Sequence, residues 1–440
     1  MNSDYFPFLM FPFMFIGIFS GFPVAFCLMG VALFFGIVGF GLNLPPMLIR
    51  RVYMIADNYV IAAVPLFIFM GTMLERSGIA KRLFEAITIW VGRLKGGLAI
   101  ATILMCTIIA ACTGIIGAAE VMVGVMALPA MLKRNYNHSL ISGTICAGGA
   151  LGTLIPPSVV TVVSGPAAGI SVGRLLIATI FPGCLLSAIY ITYIVIRSNL
   201  NPIFAPSVPP EESRFSPKEK FVITASGMVP SFALIFSVMG SIVFGLAAPT
   251  EAAALGAFGS ILLTIVYGNF SLKALKEAVI QTLKISSMIM MILVGGSMFS
   301  GVFLGLGGGI TTEKLVLSLH LGPWAVLILF LFLVYIAGFI LDWASVLLVF
   351  VPIFSPIVVK MGIDPIWFGT LFIMVIQTSY LTPPMAPAIF YIKGFAPPEI
   401  TTNEIFRGIW AFMVLQVIGV GLVTIFPQIA LWLPSKLIGF

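Results

Sequence analysis

The chain has 440 residues, 60% of them hydrophobic and only 8% charged, with a mean hydropathy of +1.18. A soluble domain carries roughly 25% charged residues, so this composition excludes a soluble protein and describes an integral membrane protein, expected from its apolar stretches to be all-α and polytopic. The formal net charge of +7 needs no nucleic acid to explain it, because membrane proteins collect Lys and Arg in their cytoplasmic loops.

The N-terminal run MNSDYFPFLMFPF carries Asp4 and no Lys or Arg. A cleaved signal peptide needs a positive n-region, so the first apolar stretch, about 6–42, is expected to be retained as a span. Further apolar stretches follow at about 59–74, 98–132, 139–165 and 175–196. A polar gap at 197–220, RSNLNPIFAPSVPPEESRFSPKEK, then reads as an extra-membrane linker between two halves. The second half holds apolar stretches at about 221–245, 249–267, 285–310, 324–359, 366–396 and 405–433. The five cysteines lie in apolar runs without a C-x-x-C, and the two histidines, His138 and His320, are far apart. No metal site and no organic cofactor is expected from that inventory.

Several stretches are too long for one span and too short for two. In the first half, 98–112 and 121–132 flank CTGIIGA (112–118), where Gly114 and Gly117 allow a tight reversal. This reads as a re-entrant hairpin, about 98–133. Its flanks carry Arg93 and Lys95 on one side and Lys133 and Arg134 on the other, so both ends are expected to be cytoplasmic. The double proline Pro156-Pro157 follows in GTLIPPS (152–158), and it breaks a helix deep in an apolar run.

In the second half, Glu251 follows Pro249 and Thr250, and helix capping explains it. GLGGGITTE has no following Lys-Ser/Thr, so it is no phosphate loop and ATP binding is not indicated. A second hairpin is expected at about 324–360, with LDWAS (341–345) as its tip and Asp342 as an intramembrane acid. Its flanks are poorer in Lys and Arg, which favours the opposite face. A second double proline, Pro383-Pro384, closes TSYLTPP (378–384). Lys393 beyond it either meets an anion or snorkels to the headgroups. Glu120, just after the first tip, either serves the helix N-terminus there or has a transport role.

The two double prolines stand 227 residues apart (383 − 156), and at the same spacing Pro129 meets Pro356 and Lys133 meets Lys360. Weak internal repeats of this kind are a signature of secondary transporters, and the flank charges favour an inverted topology. An unwound stretch exposes carbonyl oxygens suited to Na⁺, and half-helix N-termini suit an anion. Each tip facing its own break predicts two cation sites flanking one substrate site. Thr113, Thr153, Ser158, Ser345, Thr378, Ser379 and Thr382 offer hydroxyls, although each alone can equally bond its own helix backbone.

These residues resemble the large membrane subunit (DctM type) of the tripartite ATP-independent periplasmic, or TRAP, transporters. The stretches that carry the resemblance are GFPVAFCLMG (21–30), VPLFIFMGTMLERSGIAKRL (64–83), LPAMLKRNYNHSLISGTICAGGALGTLIPPS (128–158), PTEAAALGAFGSILL (249–263), GIDPIWFGTLF (362–372) and LTPPMAPAIFYIKG (381–394). The pair LISGTICAGGALGTLIPPS (140–158) and PMAPAIFYIKGFAPPEI (384–400) also looks like the branch labelled for mannitol or chloroaromatic compounds. The resemblance implies an elevator-type transporter of the bacterial inner membrane. It implies Na⁺-coupled uptake of a small organic acid, with a separate small four-helix membrane subunit and a periplasmic substrate-binding protein as partners. Carried over by motif, the first Na⁺ site falls on Thr113, Gly114, Gly117, Gly152, Ile155 and Pro157. The second falls on Asp342, Ser345, Ser379, Thr382 and Pro384. Thr113, Thr153, Ser158, Thr378 and Pro383 are the expected substrate contacts. The scaffold is expected at 1–97 and 221–323, and the moving repeats at 98–196 and 324–440. A stand-alone Na⁺-coupled transporter of organic anions or ions, needing no binding protein, is the alternative. An enzyme is not expected, since scattered acids and two His offer no catalytic constellation.

Overall fold

A computed structural model describes residues 3–114, 117–209, 216–383 and 386–437, and every regular element among them is helical. Among the described residues, eight helical stretches are long and apolar enough to cross a bilayer. After a short 3₁₀ turn, the first half runs α1 (Met10–Phe19), α2 (Val24–Phe40), α3 (Leu44–Ala56), α4 (Ala63–Arg76) and α5 (Ile79–Val91). It continues with α6 (Gly97–Thr113), α7 (Ala118–Leu132), α8 (His138–Ala150), α9 (Val159–Ala168), α10 (Val172–Ala178) and α11 (Ile180–Leu200). The second half opens with α12 (Pro217–Ile235), a π-helical stretch, α13 (Ser241–Val243), α14 (Pro249–Val266), α15 (Leu272–Gly305) and α16 (Gly308–Ser318). It ends with α17 (Pro323–Ala337), α18 (Trp343–Lys360), α19 (Pro365–Leu381), α20 (Pro387–Phe395), α21 (Thr402–Ile425) and α22 (Gln428–Leu437). The linker is shorter than the sequence suggests, because α11 continues to Leu200 and α12 starts at Pro217.

The spacing of 227 residues holds along most of the chain. Shifted by it, α2 falls on α14 and α5 on α16, while α6, α7, α8 and α9 fall on α17, α18, α19 and α20. α3 and α4 together fall on the single long α15. The punctuation agrees residue by residue. Gly41 and Gly268 both take positive φ, as do Asn135 and Gly362. Asn137 accepts from the N–H groups of Ser139 and Leu140 to start α8, and Asp364 accepts from those of Ile366 and Trp367 to start α19. A side-chain oxygen that takes two orphan N–H groups fixes where a helix begins, so matched caps mean matched elements.

The halves interlock. α2 packs on α15 and α14 on α4, while α9 lies on α18 and α20 on α7. Each broken helix therefore touches the hairpin of the other half. Close approach rests on small residues, as usual between membrane helices. A β-carbon at Gly143 of α8 would meet the Gly408 carbonyl of α21, and one at Gly408 would meet the Ser139 carbonyl.

Both hairpins enter and leave on one side. At the first, the N–H of Gly96 donates to Ala205, that of Val208 to Gly92 and that of Asn137 to Phe204. One stretch of linker thus ties both feet. At the second, the rings of Trp324 and Trp367 stand 5.6 Å apart at the heads of α17 and α19. Nearby, Lys360 reaches Glu313 of α16 at 2.7 Å. α15 has 34 residues, about 50 Å at 1.5 Å per residue, against a hydrocarbon core of about 30 Å. Its first turn adjoins Asn269, which donates to Ser77 ahead of α5, and its last turn leads into α16. α5 and α16 have 13 and 11 residues, too few to cross. They lead to the two hairpins from opposite ends of α15.

Candidate functional site

The first tip forms where α6 ends at Thr113. Gly114 follows with φ +61 and Gly117 with φ +83, conformations that glycine adopts without strain. Ile115 and Ile116 lie outside the described residues. The Gly114 carbonyl accepts from the N–H of Val159 at 3.2 Å. A β-carbon on Gly114 would strike the Pro157 carbonyl, and one on Gly117 would strike the Tyr391 ring. The tip therefore touches its own break and the broken helix of the other half.

The first break has a simple cause. Pro156 and Pro157 have no N–H, so the carbonyls of Gly152 and Thr153 lose their helical donors. After the 3₁₀ turn Leu151–Thr153 the chain unwinds, and the Ser158 hydroxyl donates to the Thr153 carbonyl at 2.6 Å. Gly152, Ile155 and Pro157 are all buried here.

At the second hairpin the reversal spans 338–342, three residues earlier than expected at both ends, since α17 stops at Ala337 and α18 starts at Trp343. Asp342 sets that boundary as the N-cap, accepting from the N–H groups of Ala344 and Ser345. The Ser345 hydroxyl donates to its other oxygen. A β-carbon on Gly338 would strike the Ser379 hydroxyl, so this tip, too, seats on its own break. There Thr382 donates its N–H to Ser379 at 3.0 Å, and Ala386 donates to Thr382 at 3.2 Å. Pro384 lies outside the described residues.

The hydroxyls largely follow the local alternative. Thr113, Thr153, Thr378, Ser379 and Thr382 donate to the backbone carbonyls of Ile109, Ala150, Met374, Ile376 and Thr378. Each oxygen keeps lone pairs for a further partner.

A cavity of about 600 Å³ opens where both tips and both breaks meet. Gly114, Thr153, Asp342 and Ser379 line it, together with Phe26 of α2 and Met288 of α15. Of the five expected substrate contacts, Thr153 stands in the wall, Thr113, Ser158 and Thr378 are buried, and Pro383 is half-buried. Two helices start beside the cavity with no side-chain cap, α9 at Ser158 and α20 at Ala386. The Val159 N–H is taken by Gly114 and Pro387 has none, so the N–H groups that follow and the positive end of the helix dipole are what favour an anion there.

Sequence reasoning missed Trp343, Tyr380 and Tyr391, which also line the cavity. An aromatic in an apolar run reads as core, and only the position of Tyr380 three residues before Pro383 sets it apart. Tyr380 donates its hydroxyl to Glu120 at 2.8 Å, joining the first hairpin to the second break. Glu251 accepts from the Ala248 N–H at 2.8 Å, the capping role expected of it, and Lys393 is exposed in the last turn of α20.

Residues 11–429 match the family model described as "Tripartite ATP-independent periplasmic transporter, DctM component". The chain is 30% identical to the C4-dicarboxylate TRAP transporter large permease protein DctM of Pseudomonas aeruginosa, over 88% of this chain and 89% of that one. It is 27% identical to the sialic acid TRAP transporter large permease protein SiaM of Vibrio cholerae, over 96% and 97%. It is 31% identical to the ectoine/5-hydroxyectoine TRAP transporter large permease protein UehC of Ruegeria pomeroyi, over 84% and 85%. Among solved structures, the Alcanivorax borkumensis YdaH transporter, described as having an unusual topology, shares the fold with a TM-score of 0.66 at 14% identity, covering 98% of this chain and 99% of that one.

Proposed function

This chain belongs to the DctM component family of tripartite ATP-independent periplasmic transporters, and from that premise we propose that it drives Na⁺-coupled uptake of a small organic acid across the bacterial inner membrane. It is a multi-pass membrane permease rather than an enzyme. The observation that carries the proposal is the pairing of each hairpin tip with a proline-broken helix around one cavity.

In this reading Na⁺ sits between the first tip and the carbonyls of Gly152, Ile155 and Pro157. A second Na⁺ sits between Asp342, Ser345 and the Ser379–Pro384 break. Carbonyl oxygens brought face to face repel one another, so the ions must assemble both sites before substrate binds. The substrate's carboxylate then meets the open starts of α9 and α20. Residues 98–196 and 324–440 move as the transport unit of an elevator, while 1–97 and 221–323 hold the scaffold. A separate four-helix membrane subunit completes the scaffold, and a periplasmic binding protein delivers the acid. The relatives named above carry different substrates in their names, so family membership alone does not name this one. The binding protein selects it.

Reconstitution tests the reading. The chain, a small membrane subunit and a periplasmic binding protein are placed in liposomes with radiolabelled C4-dicarboxylates, sugar acids and keto acids outside. Uptake that needs the binding protein and an inward Na⁺ gradient is expected. Na⁺-driven uptake by the chain alone would select the stand-alone alternative, and uptake indifferent to Na⁺ would overturn the coupling.

A further inference from the structure

We propose that Glu120 binds and releases a proton during the transport cycle, as a third ion site separate from the two Na⁺ sites. Four helices carry Glu at their third position. In α12, α14 and α21, residues Glu219, Glu251 and Glu404 reach back to the N–H groups of Ser216, Ala248 and Thr401. Glu120 occupies the same position in α7 and makes no such bond to Gly117. Its side chain is fully buried, Oε2 accepts from the Tyr380 hydroxyl, and Oε1, although the Cys146 thiol lies beside the carboxylate, has no partner in hydrogen-bond geometry among the described residues. A helix cap therefore does not account for it.

α4 and α5 pack on α7 as well, but their charged side chains are engaged or exposed elsewhere: Arg76 on Glu75 and Glu277, Arg82 over the Tyr267 ring, and Lys81 and Glu85 at the surface. The groups facing Glu120 come from the remaining elements around it. They are Cys106 of α6, Cys146 and the backbone of Gly149 from α8, Tyr380 of α19 and Tyr391 of α20. None of these side chains is cationic. A buried carboxylate requires a counter-charge or a proton. Thiols and phenols are poor partners for Na⁺, a hard ion that prefers several carbonyl or carboxylate oxygens, so the proton is the better ligand. Tyr380 and Tyr391 both line the cavity and give the proton a route to it. Because Tyr380 lies in the second break, rearrangement of that break alters the donor that Glu120 receives.

Infrared difference spectroscopy on the purified full-length protein needs no substrate. Spectra are recorded across a pH ramp and on exchange of K⁺ for Na⁺. A carbonyl band of a protonated carboxylic acid is expected, responding to both. Glu120→Gln should abolish it, Tyr380→Phe should shift it, and Asp342→Asn should leave it in place. No such band at any pH, or a band that survives Glu120→Gln or ignores Tyr380→Phe, would overturn the proposal without touching the Na⁺ reading. Should Glu120→Gln fail to fold, the Tyr380→Phe shift decides.

Discussion

Asp342 serves two surfaces at once, holding the start of α18 and standing in the cavity wall. The roles separate by substitution. Asn is as good a cap as Asp, whereas removing a cap costs about 0.5–2 kcal/mol. Asp342→Asn is expected to leave yield and melting temperature unchanged while raising the Na⁺ needed for half-maximal uptake about tenfold, ~1.4 kcal/mol. An unaltered Na⁺ response would remove Asp342 from the site. Gly114 offers a second test at this scale. Placing Ala at positive φ costs about 1–2 kcal/mol, and Gly114→Ala also drives a methyl into the Pro157 carbonyl. Gly169, with φ +70 and nothing near its absent β-carbon, is the matched control. Both variants carry the same backbone cost, Gly114→Ala should lose further stability through its clash, and only Gly114→Ala should lose stabilisation by Na⁺.

Elements were legible where a missing donor or a charge marks them. The prolines of 156–157 and 383–384 announced the breaks because a helix cannot replace an absent N–H. Pro156→Ala restores a donor opposite the Gly152 carbonyl, so it should rewind the break and weaken Na⁺ binding, read as a smaller Na⁺-induced shift in melting temperature. The sequence expectation sets the second tip three residues late because it takes Asp342 as an intramembrane acid at the tip, whereas an Asp directly before an apolar run is first a helix start. α15 was seen only from about 285, since Lys273, Lys276, Glu277 and Lys284 interrupt its first turns. Those residues ride on a helix longer than the bilayer is thick. The Glu120–Tyr380 bond was invisible, because 260 residues separate its partners and nothing in either segment names the other.

At the scale of the molecule, the repeat that began as three proline and lysine coincidences extends to α2 and α14, to α5 and α16, and to left-handed turns and caps. Its inverted character makes a direct prediction. Lys95, exposed at the feet of the first hairpin, and Lys314, exposed on α16 near the feet of the second, belong on opposite faces. In a background without native cysteines, Lys95→Cys should react with an impermeant maleimide only from the cytoplasm and Lys314→Cys only from the periplasm. Labelling of both from one side would collapse the inverted arrangement. Two tips and two breaks are proposed to make two cation sites. The most direct measurement is the melting temperature of the purified chain titrated with Na⁺ at constant ionic strength, with K⁺ as the balancing ion. Stabilisation by Na⁺ should rise with a Hill coefficient above one and flatten in Gly114→Ala and Asp342→Asn. A melting temperature indifferent to which of the two ions is present would contradict it.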